Sequence, residues 1–298
     1  MSLPQRPYVF APKTSPLCPL LHITAALLPF PLRHQPPFLD YFINQTLVGY
    51  NTVTIQPGFN MLSVNFKDVN NTEGIGIQEL FLGGGNAACP FTGNTASTLA
   101  DQIQVFVNDG VNADYVSYYL YKNSKTSTDP KNNYWCNSSN AIEQDKKFNN
   151  GDTLWFRSQA KGPVTFSISG EVELSNVRTV TINKGYNMIG NFFPAGWAVN
   201  DEPYTTDYWK NAGATGNTAS TMADQIQVYV NNGVDTPDYT TYYLYNNSKS
   251  TTDPKNWKWC NSANAAVEGN ILPVGQGAWY LNRGTKASSF TLDIKKQF

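Results

Sequence analysis

The side chains of this 298-residue sequence that could do chemistry are carboxylates, thiols and indoles, because both histidines, His22 and His34, precede residue 39. Without an imidazole in the body of the chain, a Ser-His-Asp or Cys-His nucleophile and a histidine-ligated zinc or iron site are excluded there. Carboxylate pairs are the remaining route to catalysis, since a glycosidase needs two carboxyl groups about 5–10 Å apart. Aspartates recur at matched positions: Asp101 and Asp224, Asp114 and Asp238, Asp129 and Asp253. They stand in turns and at strand starts, where an aspartate normally caps backbone amides, so we expect no enzyme.

Two loops rich in oxygen ligands are candidates for a cation site. The first contains Asp109 and Asp114, and the second contains Asp235 and Asp238. Carboxylate and amide oxygens suit Ca²⁺, although both loops lack the spacing and the terminal glutamate of an EF-hand. We expect no cofactor, and calcium bound at these four aspartates is the alternative.

The thiols do not form a metal motif. Cys136 and Cys260 occupy equivalent positions in the duplication described below, whereas Cys89 has no counterpart. Without a C-x-x-C pair, metal binding has little support. We expect buried free thiols, which behave as small apolar side chains, with a Cys89–Cys136 disulfide as the alternative in an oxidising compartment.

A duplication organises the sequence. Gly93 to Val107 reads GNTASTLADQIQVFV and Gly216 to Val230 reads GNTASTMADQIQVYV, with thirteen identities in fifteen positions. The similarity continues from 117–142 to 241–266 and from 53–66 to 180–193. A period of about 120 residues is the size of a domain. We therefore divide the chain into residues 1–45, a proline-rich leader, residues 46–174, repeat 1, and residues 175–298, repeat 2.

The pattern within each repeat alternates with period two. Ile103, Val105 and Val107 alternate with polar or aromatic neighbours, and the NDG at 108–110 predicts a hairpin turn before a returning strand at 115–121. Short helical turns are expected at 76–82 and at 97–102, the second capped by Ser97. Closing strands are expected near residues 153–157 and 164–171. The sequence thus predicts an all-β protein of two tandem β-sandwich-like domains with about seven strands each.

The tryptophans separate into two groups. Trp135 matches Trp259 and Trp155 matches Trp279, so we expect these four to fill equivalent cores. The other three indoles have no tryptophan partner: Trp197, Trp209 and Trp257. Asn133 stands at the position of Trp257, which shows that the fold does not require an indole there. We therefore predict that these three residues are available for a ligand, with incidental partial burial as the alternative.

Two strings in repeat 2 suggest a family. GYNMIGNFF at 185–193 is followed by PVGQGAWYL at 273–281 and a final FTL strand. These strings resemble the tandem β-sandwich repeats of secreted bacterial proteins. Repeat 1 departs from the pattern because Thr153 replaces Gly277. The resemblance implies a secreted or surface-displayed protein and supplies no catalytic residues.

The composition and the leader exclude further classes of function. Only 14% of residues are charged and the net charge is -1, so the chain lacks the positive charge that binding to nucleic acid phosphates requires. Half of the 18 prolines precede residue 38, and the apolar run at 20–28 is too short to span a bilayer. This leader is a signal peptide or an extra segment, and we expect neither to belong to the fold. We also expect no transmembrane anchor.

These observations predict a non-enzymatic protein, extracellular or on the cell surface, that acts as a structural or interaction module. The alternative is a carbohydrate-binding module that uses the aromatic residues of repeat 2. Expected partners are surface polysaccharide or other copies of the protein.

Overall fold

The computed structural model describes residues 47–69, 73–82, 89–204, 206–284 and 289–297. The proposed leader lies outside the described residues. The described chain is built from antiparallel sheets with two short α-helices, and this confirms the all-β prediction. In the part of the chain that the structure describes, no helix is long and apolar enough to cross a membrane.

Repeat 1 consists of a five-stranded sheet, two short strand pairs and one helix. The sheet has the order β2-β8-β4-β5-β6, and the pairs are β1-β9 and β3-β7, from these elements: β1 (Val48–Ile55), β2 (Gly58–Ser63), β3 (Ile75–Gly76), α1 (Ile77–Leu82), β4 (Gln102–Asn108), β5 (Ala113–Tyr121), β6 (Tyr134–Cys136), β7 (Lys147–Phe148), β8 (Thr153–Ser158) and β9 (Val164–Glu171).

Repeat 2 reproduces the five-stranded sheet, one strand pair and the helix. Its sheet has the order β11-β15-β12-β13-β14 and its strand pair is β10-β16, from these elements: β10 (Val177–Ile182), β11 (Gly185–Gly190), α2 (Thr206–Ala212), β12 (Gln225–Val230), β13 (Asp238–Tyr245), β14 (Lys258–Cys260), β15 (Gly277–Asn282) and β16 (Phe290–Lys295).

Each repeat has its own core between the five-stranded sheet and the two-stranded pair. In repeat 1 the core joins Ile55 of β1 and Ile168 of β9 to Ile103, Leu120 and Phe156 of the large sheet. Ile103, Leu120 and Phe156 are fully buried. Alternation along each strand sends every second side chain into this core and the others to the opposite face of the sheet.

The predicted hairpin is present. β4 pairs with β5 from Gln102↔Tyr119 to Asn108↔Ala113. Gly110 has a φ of 89°, which glycine adopts without steric cost, and its N–H donates to Asn108 Oδ1 at 2.9 Å. Val107 is 49% exposed rather than buried, because it lies at the turn end of β4.

Two local expectations differ from the structure. Helix α1 forms as predicted, but residues 97–99 make only a single 3₁₀ turn. Ser97 is the first residue of that turn and not its cap, because Ala96 occupies the cap position and makes no side-chain hydrogen bond. The prediction of a Ser97 cap was therefore wrong.

The two five-stranded sheets pack on each other through the faces that do not cover the cores. We call this contact the seam. Trp155 meets Tyr229 with ring centroids 4.9 Å apart, and Trp279 meets Phe106 at the same distance. Both ring pairs have an interplanar angle of 85°, so equivalent contacts occur twice. This reciprocity is typical of a twofold interface between identical subunits, here within one chain.

Side-chain hydrogen bonds cross the seam with the same reciprocity. Asn108 Nδ2 donates to the carbonyl of Tyr186 at 2.8 Å, and Asn231 Nδ2 donates to the carbonyl of Phe59 at 2.9 Å. Asn108 and Asn231 are equivalent residues at the ends of β4 and β12, and Phe59 and Tyr186 are equivalent residues in β2 and β11. Trp155 and Trp279 therefore stabilise the contact between repeats, and not the separate cores to which the sequence assigned them.

Glycines of repeat 2 receive side chains of repeat 1 at the seam. A Cβ at Gly277 would lie 2.1 Å from Thr153 Cγ2, and a Cβ at Gly190 would lie 1.9 Å from Ser63 Oγ. Within each repeat the two residues are cross-strand partners: Ser63↔Thr153 and Gly190↔Gly277. Equivalent positions thus face each other, and the duplication has placed larger side chains on one side only. This explains why Thr153 replaces Gly277 in repeat 1.

An ionic cluster fixes the junction between the repeats. Glu173 is 3% exposed, and its Oε2 lies 3.1 Å from Lys67 Nζ and 3.4 Å from Arg178 Nε. Burial alone would raise the pKa of Glu173, but the hydrogen bonds from Ser175 and Lys67 outweigh burial and leave this pKa below its ordinary value. The junction therefore stabilises the contact between repeats when Glu173 is ionised.

Candidate functional site

An aromatic groove opens where the two repeats meet. It encloses about 320 Å³. Its lining comes from strands of both repeats, and we call these residues the seam groove: Phe106, Tyr115, Tyr186, Gln227, Tyr239 and Trp279. Each belongs to one of the two five-stranded sheets, so hydrogen-bonded strands hold the groove in place. A site on paired strands is better defined than one on loops.

The rings of the groove contact one another, and the two contacts of Trp279 are edge to face. Trp279 contacts Tyr186 at 5.8 Å and Phe106 at 4.9 Å between centroids, and Phe106 contacts Tyr115 at 5.2 Å. Such contacts favour fixed ring orientations. The equivalent rings form a matching set on the other side of the seam, where Trp155 contacts Tyr229 and Phe59.

Large ring surfaces in the groove are accessible. The exposed fractions are 46% for Tyr186, 43% for Tyr115 and 40% for Tyr239. Trp279 is 7% exposed and forms part of the groove wall. We therefore take the seam groove as the candidate binding surface.

The groove carries no charge at neutral pH. Its lining contains no acidic or basic residue. Burial raises the pKa of Tyr239 above 10.0, with a smaller opposing contribution from the Trp279 indole, and burial raises the pKa of Tyr115 likewise. Both phenols therefore stay protonated, and the polar groups that the groove offers are tyrosine hydroxyls and the amide of Gln227.

Two of the three tryptophans proposed as ligand contacts are inside the protein. Trp197 and Trp209 are both 0% exposed. Trp209 Nε1 donates to the carbonyl of Val199 at 3.0 Å, and its ring lies 5.1 Å from Trp259. The prediction that these two indoles are available was wrong, because they fill the core of repeat 2.

The counterpart of that packing in repeat 1 uses different residues. Phe81 of α1 lies 5.6 Å from Trp135, and Phe91 lies 6.3 Å from it. Trp209 of α2 occupies the corresponding place beside Trp259. Trp209 thus packs on Trp259 where phenylalanines pack on Trp135.

The third indole, Trp257, does lie at the surface. It is partly buried and lines a cavity of about 480 Å³ together with Lys210, Asn247 and Asp253. Its φ is 62°, and Asn133 at the equivalent position has a φ of 63°. A left-handed conformation suits asparagine but is unfavourable for a bulky side chain. Trp257 therefore remains a candidate ligand contact, and its left-handed backbone costs conformational free energy.

The aspartates proposed for calcium bind their own loops. Asp109 Oδ1 accepts from the N–H groups of Val111 and Asn112 at 2.8 and 2.6 Å, and these bonds lower the pKa of Asp109. Asp114 and Asp238 each accept from the next N–H at 2.7 Å, and Asp235 accepts from the Asn232 amide. Among the described residues, no three acidic, histidine or cysteine side chains are grouped as a metal site would require.

The buried aspartates also have structural roles. Asp101 and Asp224 are 0% exposed. Asp101 accepts from the N–H groups of Thr92 and Gln159 at 2.9 and 2.6 Å. Asp224 accepts from two N–H groups in the same way and from Tyr280 Oη at 2.9 Å. Burial raises the pKa of both carboxyls despite these hydrogen bonds. Both carboxyls therefore accept from backbone amides, as the capping interpretation predicts.

The cysteines of the described chain are thiols. Cys136 and Cys260 are fully buried, and Cys89 is partly buried. Burial raises the pKa of all three thiols. This agrees with the expectation of free cysteines and not with a Cys89–Cys136 disulfide.

The chain matches no protein-family model, no curated protein and no solved structure. The geometry of the seam groove therefore carries the functional argument. Sequence reasoning missed this groove, although one signal was present: Trp155 stands between Leu154 and Phe156, so period two places it on the face opposite the core.

Proposed function

We propose that this protein is a non-enzymatic interaction module of the cell surface or extracellular space, and that the seam groove is its binding surface. The proposal rests on the groove because large rings are exposed there on a rigid double sheet. The buried aspartates support a non-enzymatic role, since backbone amides already occupy their oxygens. The low charge of the chain and the resemblance to secreted repeats support an extracellular location.

The ligand class follows from the chemistry of the lining. Apolar ring faces next to uncharged hydroxyl and amide groups suit a ligand that has both C–H faces and hydroxyls. An ionic ligand would lose hydration without gaining a charged partner in the groove. A neutral polysaccharide chain meets both conditions. The proposed site therefore differs from the aromatic set expected in repeat 2, because both repeats contribute to it.

Affinity electrophoresis of the full chain tests this proposal. Native gels would contain a neutral β-glucan, mannan or α-glucan, and retardation would report binding. We expect one of these polysaccharides to retard the protein and the double variant Tyr186→Ala/Tyr239→Ala to lose at least tenfold in affinity. The matched control is Tyr50→Ala, since Tyr50 is 78% exposed but lies on β1 and does not line the seam groove.

Three outcomes would oppose the proposal. Normal migration in all three gels would contradict polysaccharide binding. Equal retardation of the groove variant and the wild type would place the binding surface elsewhere. Loss of binding in Trp257→Asn alone would assign it to the cavity of repeat 2.

A further inference from the structure

One part of the duplication that changed little lies on the surface, directly before the equally similar strands β4 and β12. Residues 94–98 read NTAST, and residues 217–221 read the same five letters. Residues 95–98 and 218–221 are all exposed. By contrast, β8 reads TLWFRS and β15 reads GAWYLN, so they differ at five of six positions although most of these residues are buried. Because loops normally diverge more than buried strands, a retained surface loop points to a shared function.

Local structure accounts for only part of this identity. Asn94 Oδ1 accepts from the Ala96 N–H at 3.0 Å, which explains the asparagine. Ser97 and Thr98 are held through their carbonyls, which accept from Gln102 Nε2 at 2.7 Å and from Gln159 Nε2 at 3.0 Å. Their exposed hydroxyls are not needed for these bonds.

A cavity adjoins the loop. It encloses about 530 Å³ and has residues 95–98 on one side. Ser117, Tyr119 and Asn140 lie on the other side, where Tyr119 Oη donates to Asn140 Oδ1 at 2.7 Å. The lining consists of hydroxyl, amide and aromatic groups without a charged side chain. We call this cavity the loop pocket.

Repeat 2 carries the same set of groups. Ten of the eleven lining residues are identical there, and the eleventh changes Ser117 to Thr241, which keeps the hydroxyl. The geometry agrees as well: Tyr243 Oη donates to Asn264 Oδ1 at 2.8 Å, and Gln225 Nε2 donates to the carbonyl of Ser220 at 2.9 Å. These shared residues and hydrogen bonds define the corresponding loop pocket of repeat 2.

Equivalent residues of the two repeats line the loop pocket and the seam groove. Gln104 lines the loop pocket of repeat 1, and its counterpart Gln227 lines the seam groove. The reciprocal contacts of the seam relate the two repeats by an approximate twofold axis. The lining of the loop pocket comes from repeat 1 alone, so each arrangement belongs to its own repeat.

We propose that the loop pockets are two equivalent sugar-binding sites and that the protein holds two separate neutral glycan chains at once. This inference rests on the proposed function, because it takes the same ligand class. Two sites on one rigid block make the protein a cross-linker of polysaccharide, with avidity on a surface that presents many chains.

Nuclear magnetic resonance of the full ¹⁵N-labelled chain tests the inference. Cellohexaose, maltohexaose and mannohexaose would be titrated in turn. We expect the same hexasaccharide to shift the amide signals of Ala96 to Leu99 and those of Ala219 to Met222. Thr98→Lys should abolish the shifts in repeat 1 and leave those in repeat 2. Val111→Lys is the matched control, because Val111 is 88% exposed and lies outside the loop pocket.

Cross-linking gives a second readout. Wild-type protein should agglutinate beads that carry the matching polysaccharide, and Thr98→Lys should raise the concentration needed at least tenfold. Shifts confined to the seam groove, with both loops unchanged, would overturn the two-site inference and leave the proposed function standing. The absence of shifts with all three hexasaccharides, together with normal migration in the polysaccharide gels, would refute the proposed function and this inference with it.

Discussion

The substitution Gly277→Ala should destabilise the protein, because the added methyl group would clash with a side chain of repeat 1. The new Cβ would lie 2.1 Å from Thr153 Cγ2 and 3.2 Å from both the Leu62 carbonyl oxygen and Met61 Cγ. Carbon atoms pack at about 3.5–4 Å, so the two sheets must separate by roughly an ångström. Overpacking of this kind costs about 1–3 kcal/mol. In a strand without this contact, Gly→Ala would instead be neutral or stabilise by about 0.5–1 kcal/mol.

Urea unfolding of the full chain, followed by tryptophan fluorescence, measures the effect. We expect Gly277→Ala to lower the midpoint without changing the slope, which is the signature of lost stability. Gly162→Ala is the matched control, because a Cβ there meets no atom within 4 Å. Thr153→Gly removes the side chain that Gly277 receives, so the double variant should recover about 1 kcal/mol or more relative to the sum of the single changes.

Two results would refute this reasoning. A Gly277→Ala protein as stable as the wild type would mean that β15 and β8 do not meet as the seam requires. Additive effects of Gly277→Ala and Thr153→Gly would mean that the two residues are not in contact.

Three further predictions follow from single contacts. Because the pKa of Glu173 is lowered from 4.5, the contribution of its carboxylate to the free energy of unfolding is complete above pH 4.5 and is lost on acidification. Glu173→Gln should therefore lower the free energy of unfolding by about 1 kcal/mol at pH 7 and make the urea midpoint depend less on pH below pH 5. A pH dependence equal to that of the wild type would contradict this. Tyr280→Phe, which introduces the residue of repeat 1, should cost about 1–2 kcal/mol in urea unfolding by removing the hydrogen bond to buried Asp224, and no loss would show that the carboxyl needs no hydroxyl donor. Trp257→Asn should change stability by less than about 1 kcal/mol, since relief of the left-handed backbone offsets lost packing; a thermal melt lowered by many degrees would contradict this.

The strands and hairpins could be predicted because their signals are local. The alternation from Ile103 and the NDG turn specify β4 and its return without reference to the rest of the chain. Aspartate capping was predictable for the same reason, since Asp109 bonds to residues two and three positions ahead. The alternation of apolar residues with period two and the turn residues were therefore sufficient to predict the fold class.

Burial of the tryptophans could not be predicted from the duplication alone. A matched residue indicates equivalent packing, but an unmatched one need not be exposed, as Trp209 shows by replacing Phe81 from a different sequence position. The sequence also did not indicate which residue each matched indole contacts, since Trp155 contacts Tyr229 from the other repeat. Contacts between repeats depend on how two sheets associate, and no local pattern specifies that. The seam groove therefore had to be found in the structure.

The most direct test of the account is a crystal structure of the full chain grown with the hexasaccharide that matches the retarding polysaccharide. The account predicts sugar rings in the seam groove, in contact with Tyr186 and Tyr239 and within hydrogen-bond distance of Gln227. Sugar bound only beside Trp257, or a seam groove that stays empty at saturating ligand, would contradict it.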